Sequence, residues 1–183
     1  TNKHLIYGLS QLTLLVAGLL TASLGFGEPQ FAFKDMFVFD SLALFLKMMS
    51  FITLSIVFIY SRNYLLNKKL LTGEYFSLSL FALLGVMLMI SSRNLLLMYM
   101  GLELLSLSLY ALIALNRDDK KSNEAAIKYF VLGALASGLL LYGMSMLYGF
   151  SGSLDLYTIG NIIQTQEINS ELLVFGLVFI VVG

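Results

Sequence analysis

Five stretches of this 183-residue chain are long enough and apolar enough to cross a lipid bilayer. They occupy residues 5–24, 40–60, 75–91, 95–115 and 125–148, and a sixth, 172–183, is cut off by the end of the chain. A hydrocarbon core of about 30 Å is crossed by about 20 apolar residues in a helix. In lipid every backbone amide must be paired inside its own helix or inside a closed barrel. The expected fold class is therefore an all-α membrane protein: a polytopic transmembrane helix bundle, forming one transmembrane domain over residues 1–183. Charged residues make up 12% of the chain and mean hydropathy is +0.87, whereas soluble domains carry about 25% charge. A net charge of zero gives no reason to expect a nucleic-acid partner. The absence of cysteine excludes disulfides, thiolate zinc sites and iron–sulfur clusters held by this chain. One histidine, His4, is too few ligands for a haem or zinc centre built from this chain alone. Any redox chemistry must lie elsewhere.

The first apolar segment is longer than the core of a signal peptide and lacks a clean small-residue cleavage site, so it reads as a membrane span. The chain opens without methionine and stops inside an apolar run, and reads as a fragment of a longer protein. Between the fifth and sixth segments, Gly152 and Ser153 form a turn, and residues 154–163 suit a short interfacial helix. Lys3, Arg62, Lys68, Lys69, Arg117, Lys120 and Lys121 fall at one end of the bundle, and only Lys34 and Arg93 at the other. Basic residues stay on the cytoplasmic side, so the first end is called inner and the second outer. The fourth segment then runs from outside to inside.

Glu103 lies near the middle of that fourth segment. A charge at the bilayer centre costs about 2.5–3.5 kcal/mol on insertion scales, so it needs a partner, a cavity or a proton. Tyr99, Ser106 and Tyr110 share its side of the helix. This polar stripe should face the bundle interior. Lys128 enters the next segment, and two readings stay open. It snorkels or pairs with Glu124 four residues earlier, or it is a desolvated lysine that gains and loses a proton under the influence of Glu103. Lys47 reads as a snorkelling side chain near the outer end of its helix, and Asp40 and Arg93 as solvated helix ends. Gly133, Ala134, Ala136, Ser137 and Gly138 read as a close-packing face. A midplane acid followed by a lysine is the layout of a proton or cation relay.

The runs "NLLLMYMGLELLSLSLYALIAL" and "SNEAAIKYFVLGALASGLLLYGMSMLYGFSGSLDL", preceded by "FVFDSLALFLKMMSFITLSIVFIYSRNYL", carry a further reading. Together they resemble the antiporter-like membrane subunit N of proton-pumping NADH:quinone oxidoreductase (respiratory complex I), whose mitochondrial counterpart is subunit 2. The resemblance implies a full subunit of about fourteen helices built around two inverted five-helix repeats. This chain would hold the second to sixth helices and the start of the seventh. It implies that Glu103 is the family's helix-five glutamate and Lys128 its helix-six lysine, both in a proton relay. The family's helix-seven lysine would follow just after Gly183. It also implies that NADH, FMN, iron–sulfur clusters and quinone are bound by other subunits, with no cofactor in this chain. The expected partners are other membrane subunits of the complex, the lipid bilayer and protons. The expected location is a bacterial plasma (inner) membrane, with the mitochondrial inner membrane as the alternative. A subunit of a multisubunit cation/proton antiporter and a non-transporting membrane scaffold are the competing readings.

Overall fold

In a computed structural model the chain forms a helix bundle with one short hairpin on its outer end, and the structure describes residues 3–25, 27–165 and 171–183. In chain order the elements are α1 (Lys3–Ser23), β1 (Gln30–Ala32), β2 (Phe37–Phe39), α2 (Ser41–Asn67), α3 (Gly73–Ile90), α4 (Leu95–Ile113), α5 (Lys120–Ser151), α6 (Leu156–Thr165) and α7 (Glu171–Val182). Helices α1 to α5 are long and apolar enough to cross a membrane. The Lys3 side chain and residues 166–170, both used in reading the loops, lie outside the described residues.

Local chemistry sets the helix starts. The Asp40 carboxylate accepts from the Ala43 amide at 2.7 Å, the Asn94 side chain from Leu96 at 2.9 Å and Asp119 from Lys121 at 3.2 Å. Each satisfies an amide that a helix N-terminus leaves free. Helix α5 ends at Gly152, whose φ of 66° suits a residue without a β-carbon. Helix α2 continues through Asn67, so residues 61–67, expected in a loop, are helical. Arg62 lies 4.7 Å from the Tyr7 ring and donates to His4 Nδ1 at 3.0 Å, tying α2 to α1.

The helices pack in close pairs through glycine. A β-carbon on Gly85 of α3 would lie 2.5 Å from the Gly101 carbonyl oxygen of α4, and one on Gly143 of α5 would lie 2.7 Å from that of Gly176 in α7. Without a hydrophobic force between helices in lipid, such backbone approach supplies the association energy. Leu14, Phe58, Leu65, Leu71 and Phe76 form a core toward the inner ends of α1, α2 and α3. Leu95, Met144, Leu147, Ile159 and Leu173 join α4 to α7 at the outer end.

The outer end is a continuous hydrogen-bonded plate that the sequence did not announce. Strands β1 and β2 pair antiparallel, Gln30 opposite Phe39. The Val38 amide donates to the Ser91 carbonyl at 2.8 Å, and the Arg93 amide to that of Met36 at 2.9 Å. The turn between α3 and α4 is joined in the same way to the start of α6, by Leu95 to Leu154 and Leu156 to Arg93.

Two expectations for this end are corrected. Arg93 is not a solvated helix end: its Nε donates to Asp155 Oδ1 at 3.0 Å, and its guanidinium lies 5.3 Å from the rings of both Phe31 and Tyr157. Lys47 does not reach free solvent. It is 7% exposed, with its ammonium 4.7 Å from the Phe37 ring and 5.1 Å from that of Phe39. The hairpin folds back over the point to which the lysine extends. Partial burial pushes the Asp155 carboxyl up. Hydrogen bonds from the Thr158 hydroxyl and amide, with the Arg93 guanidinium beside it, outweigh this and hold it below its ordinary value.

Candidate functional site

Glu103 sits in the middle of α4, and its stripe faces α5. The Ser137 hydroxyl donates to Glu103 Oε1, and the Tyr99 hydroxyl lies 2.9 Å from the same Ser137 oxygen. All three residues are partly buried. Farther along the stripe, the Tyr110 hydroxyl fills the space above Gly133, and its ring meets the edges of Tyr129 at 4.8 Å and Phe130 at 5.8 Å. The acid is therefore held between two helices by a neighbour's hydroxyl.

Ser137 is the residue that sequence reasoning missed. The reading of its surroundings as a packing face holds in part: Gly133 does make a close approach, while a β-carbon on Gly138 would meet nothing within 4 Å. A signal was available. Ser137 is a hydroxyl at mid-depth in an apolar helix, adjacent in sequence order to the helix that carries a mid-depth acid. Hydroxyl groups in membrane helices bond across to their neighbours.

Lys128 is placed apart from Glu103. It precedes Ser137 by nine residues in α5, about 13 Å along the helix axis. Its ammonium pairs with Glu124 Oε1 at 2.5 Å, one turn away, and both side chains are largely exposed on this chain. At about 13 Å and an effective dielectric constant of about 20, two charges interact by about 1.3 kcal/mol. Glu103 and Lys128 thus influence each other weakly. A group that responds strongly to Glu103 has to approach it more closely. Tyr142, fourteen residues after Lys128 in α5, meets the Phe179 ring of α7 at 5.2 Å. On the inner surface, Arg117 reaches Glu74 of α3 at 3.3 Å.

An acid held between two membrane helices occurs in membrane proteins of several kinds. Residues 92–183 match the transmembrane family described as NADH:quinone oxidoreductase/Mrp antiporter. The chain belongs to this family. Glu103, Lys128 and Ser137 all fall inside the matched part. Among curated relatives, NADH-quinone oxidoreductase subunit N of Thioalkalivibrio sulfidiphilus is 49% identical over 100% of this chain, and that of Nitrosomonas europaea is 50% identical over 100% of it. The chain spans 38% of the length of each of these relatives. Among solved structures, a chain of respiratory complex I from Thermus thermophilus with bound aureothin superposes with a TM-score of 0.77 at 31% identity, covering 99% of this chain and 38% of that one. An archaeal membrane-bound sulfane sulfur reductase gives a TM-score of 0.75 at 22% identity, with 98% of this chain and 38% of that one covered, and so shares the fold. The similarity to subunit N extends over the whole length of this chain.

Proposed function

We propose that this chain is part of the proton-translocating membrane subunit N of an NADH:quinone oxidoreductase, and that Glu103 is an acid of its proton relay. The observation that carries the reading is the placement of Glu103, held at mid-depth by Ser137 of the facing helix within the family-matched residues. A carboxylate near an amine favours the amine's protonated form, and loss of the carboxylate's charge releases that proton. Movement or charge arriving from a neighbouring subunit would break or restore such a pairing and so drive a proton in one direction. Lys128, near the inner surface, would take up protons and pass them toward the acid. Its weak coupling to Glu103 suits a relay of several steps, with a closer amine supplied by another part of the subunit. Iron–sulfur clusters would be bound by other subunits, because this chain offers no cysteine and a single histidine, and NADH, flavin and quinone would be bound there as well. Its neighbours would be further membrane subunits of the complex. Its location would be a bacterial plasma membrane, in keeping with the bacterial relatives.

The test is Glu103→Gln in the assembled complex, with NADH-driven proton uptake measured in inverted membrane vesicles. Loss of uptake with the complex assembled supports the reading. Undiminished uptake removes Glu103 from the relay.

A further inference from the structure

The three groups Tyr99, Ser137 and Glu103 form a chain whose direction is fixed by counting hydrogens. An ionised carboxylate only accepts, and a serine hydroxyl carries one proton. If Ser137 donates to Glu103, it has nothing left to give Tyr99, so the Tyr99 hydroxyl must donate to Ser137. The order is then Tyr99 to Ser137 to Glu103, with every dipole pointing at the negative charge. Hydrogen bonds in such a chain polarise one another, the more so in a dry site.

We infer that Ser137 is a positioning residue that carries the charge state of Glu103 to Tyr99, by reversing the direction of this chain when the acid is protonated. The inference rests on Glu103 being an acid that gains and loses a proton. With a proton on its carboxyl, Glu103 becomes a donor to Ser137, Ser137 turns its own proton to the Tyr99 oxygen, and the Tyr99 hydroxyl proton rotates away to another acceptor. No covalent bond breaks, and no proton leaves its own oxygen in the switch. Only the incoming proton on Glu103 is new.

The far end of the chain gives the reversal a consequence. Tyr99 lies one turn toward the outer end of α4, and its ring packs against the cluster of Leu95, Met144, Leu147, Ile159 and Leu173. That cluster joins α4 to α5, α6 and α7. Tyr99 therefore connects the hydroxyl chain to the place where the outer ends of four helices meet. Ser137 touches both ends of the switch and belongs to the helix opposite, so it also registers the separation of α4 and α5.

The experiment uses the whole complex in membrane vesicles with Ser137→Ala, Ser137→Thr, Tyr99→Phe and the double variant Ser137→Ala/Tyr99→Phe. Two quantities are read: the NADH-driven proton uptake rate, and the redox-induced infrared difference band of the Glu103 carboxyl group, identified by its loss in Glu103→Gln. Ser137→Ala is expected to shift the band and slow uptake about tenfold, the scale of one hydrogen bond to a charged group. Ser137→Thr, which keeps the hydroxyl, is expected to restore both. Tyr99→Phe is expected to shift the band in the same direction although Tyr99 does not touch Glu103, and to add nothing once Ser137 is alanine. A band unmoved by Tyr99→Phe, or additive shifts in the double variant, would overturn the inference, because separate structural effects add. Normal uptake in Glu103→Gln together with the expected band shifts sinks the relay reading and leaves the chain standing. Loss of uptake in Glu103→Gln with an unmoved band in Ser137→Ala does the reverse.

Discussion

The Tyr110 hydroxyl of α4 occupies the volume that a β-carbon on Gly133 of α5 would need. This interlock lies on the same helix pair as the Glu103–Ser137 bond, about one turn away along α5. Gly133→Ala must expel the phenol from its notch and pull its ring from the edges of Tyr129 and Phe130. Overpacking of this kind costs about 1–3 kcal/mol. The expected result is a complex that loses activity at a lower temperature in thermal inactivation. Tyr110→Phe removes the clashing oxygen, so the double variant Gly133→Ala/Tyr110→Phe should regain part of the loss. A double variant as damaged as the sum of the two singles would show that the clash in the notch is not the cause.

Lys47 is expected to tolerate methionine and to reject alanine. Its contacts with the rings of Phe37 and Phe39 are offset by the cost of keeping an amine 7% exposed. Methionine keeps the stem packed under the hairpin and removes the charge, so stability should change by less than about 1 kcal/mol. Alanine removes the stem as well. Hydrogen exchange at the amides of β2, compared between Lys47→Met and Lys47→Ala, reads this directly. Equal acceleration in both variants would mean that the charge, and not the stem, holds the hairpin down.

Asp155 gives the outer plate a dependence on pH. Its carboxyl is held below the ordinary 3.8 despite partial burial, chiefly by the Thr158 hydroxyl and amide and by Arg93. The folded state therefore favours the ionised form. The stabilisation is fully present above the ordinary value and is lost as pH falls through the lower folded value. Protease cleavage near the start of α6 should rise only as the medium is acidified below 3.8. Asp155→Asn keeps an acceptor at the α6 N-cap but removes the charge that Arg93 and Thr158 stabilise, so it should raise cleavage at neutral pH and flatten its acid dependence. An unchanged acid profile in Asp155→Asn would assign the effect to another group.

How much of this could be read from the sequence depended on the range of the interaction. The spans were legible because membrane-length apolar runs admit one solution, and Glu103 was legible because a charge at mid-depth stands out against its neighbours. The hairpin was not, since strands of three residues, Gln30–Ala32 and Phe37–Phe39, are too short to show alternation. The partner of Arg93 lies 62 residues away in sequence, and nothing local to either residue points to the other. Ser137 was read only for its size. Its hydroxyl mattered once the register of α4 against α5 placed it opposite the acid.

Lys128 separates structural from functional loss most cleanly. Its partner Glu124 is one turn away on the same helix, and both side chains are largely exposed on this chain. Such pairs are worth about 0.3–0.5 kcal/mol where solvated. Lys128→Ala should therefore leave assembly and thermal inactivation of the complex nearly unchanged. If Lys128 hands on protons, NADH-driven uptake should still fall well below that of the native complex. Glu124→Gln breaks the same ion pair but keeps the amine, and should pump close to normally. Equal losses in Lys128→Ala and Glu124→Gln would instead assign the role to the ion pair, and undiminished pumping in Lys128→Ala would remove the lysine from the relay.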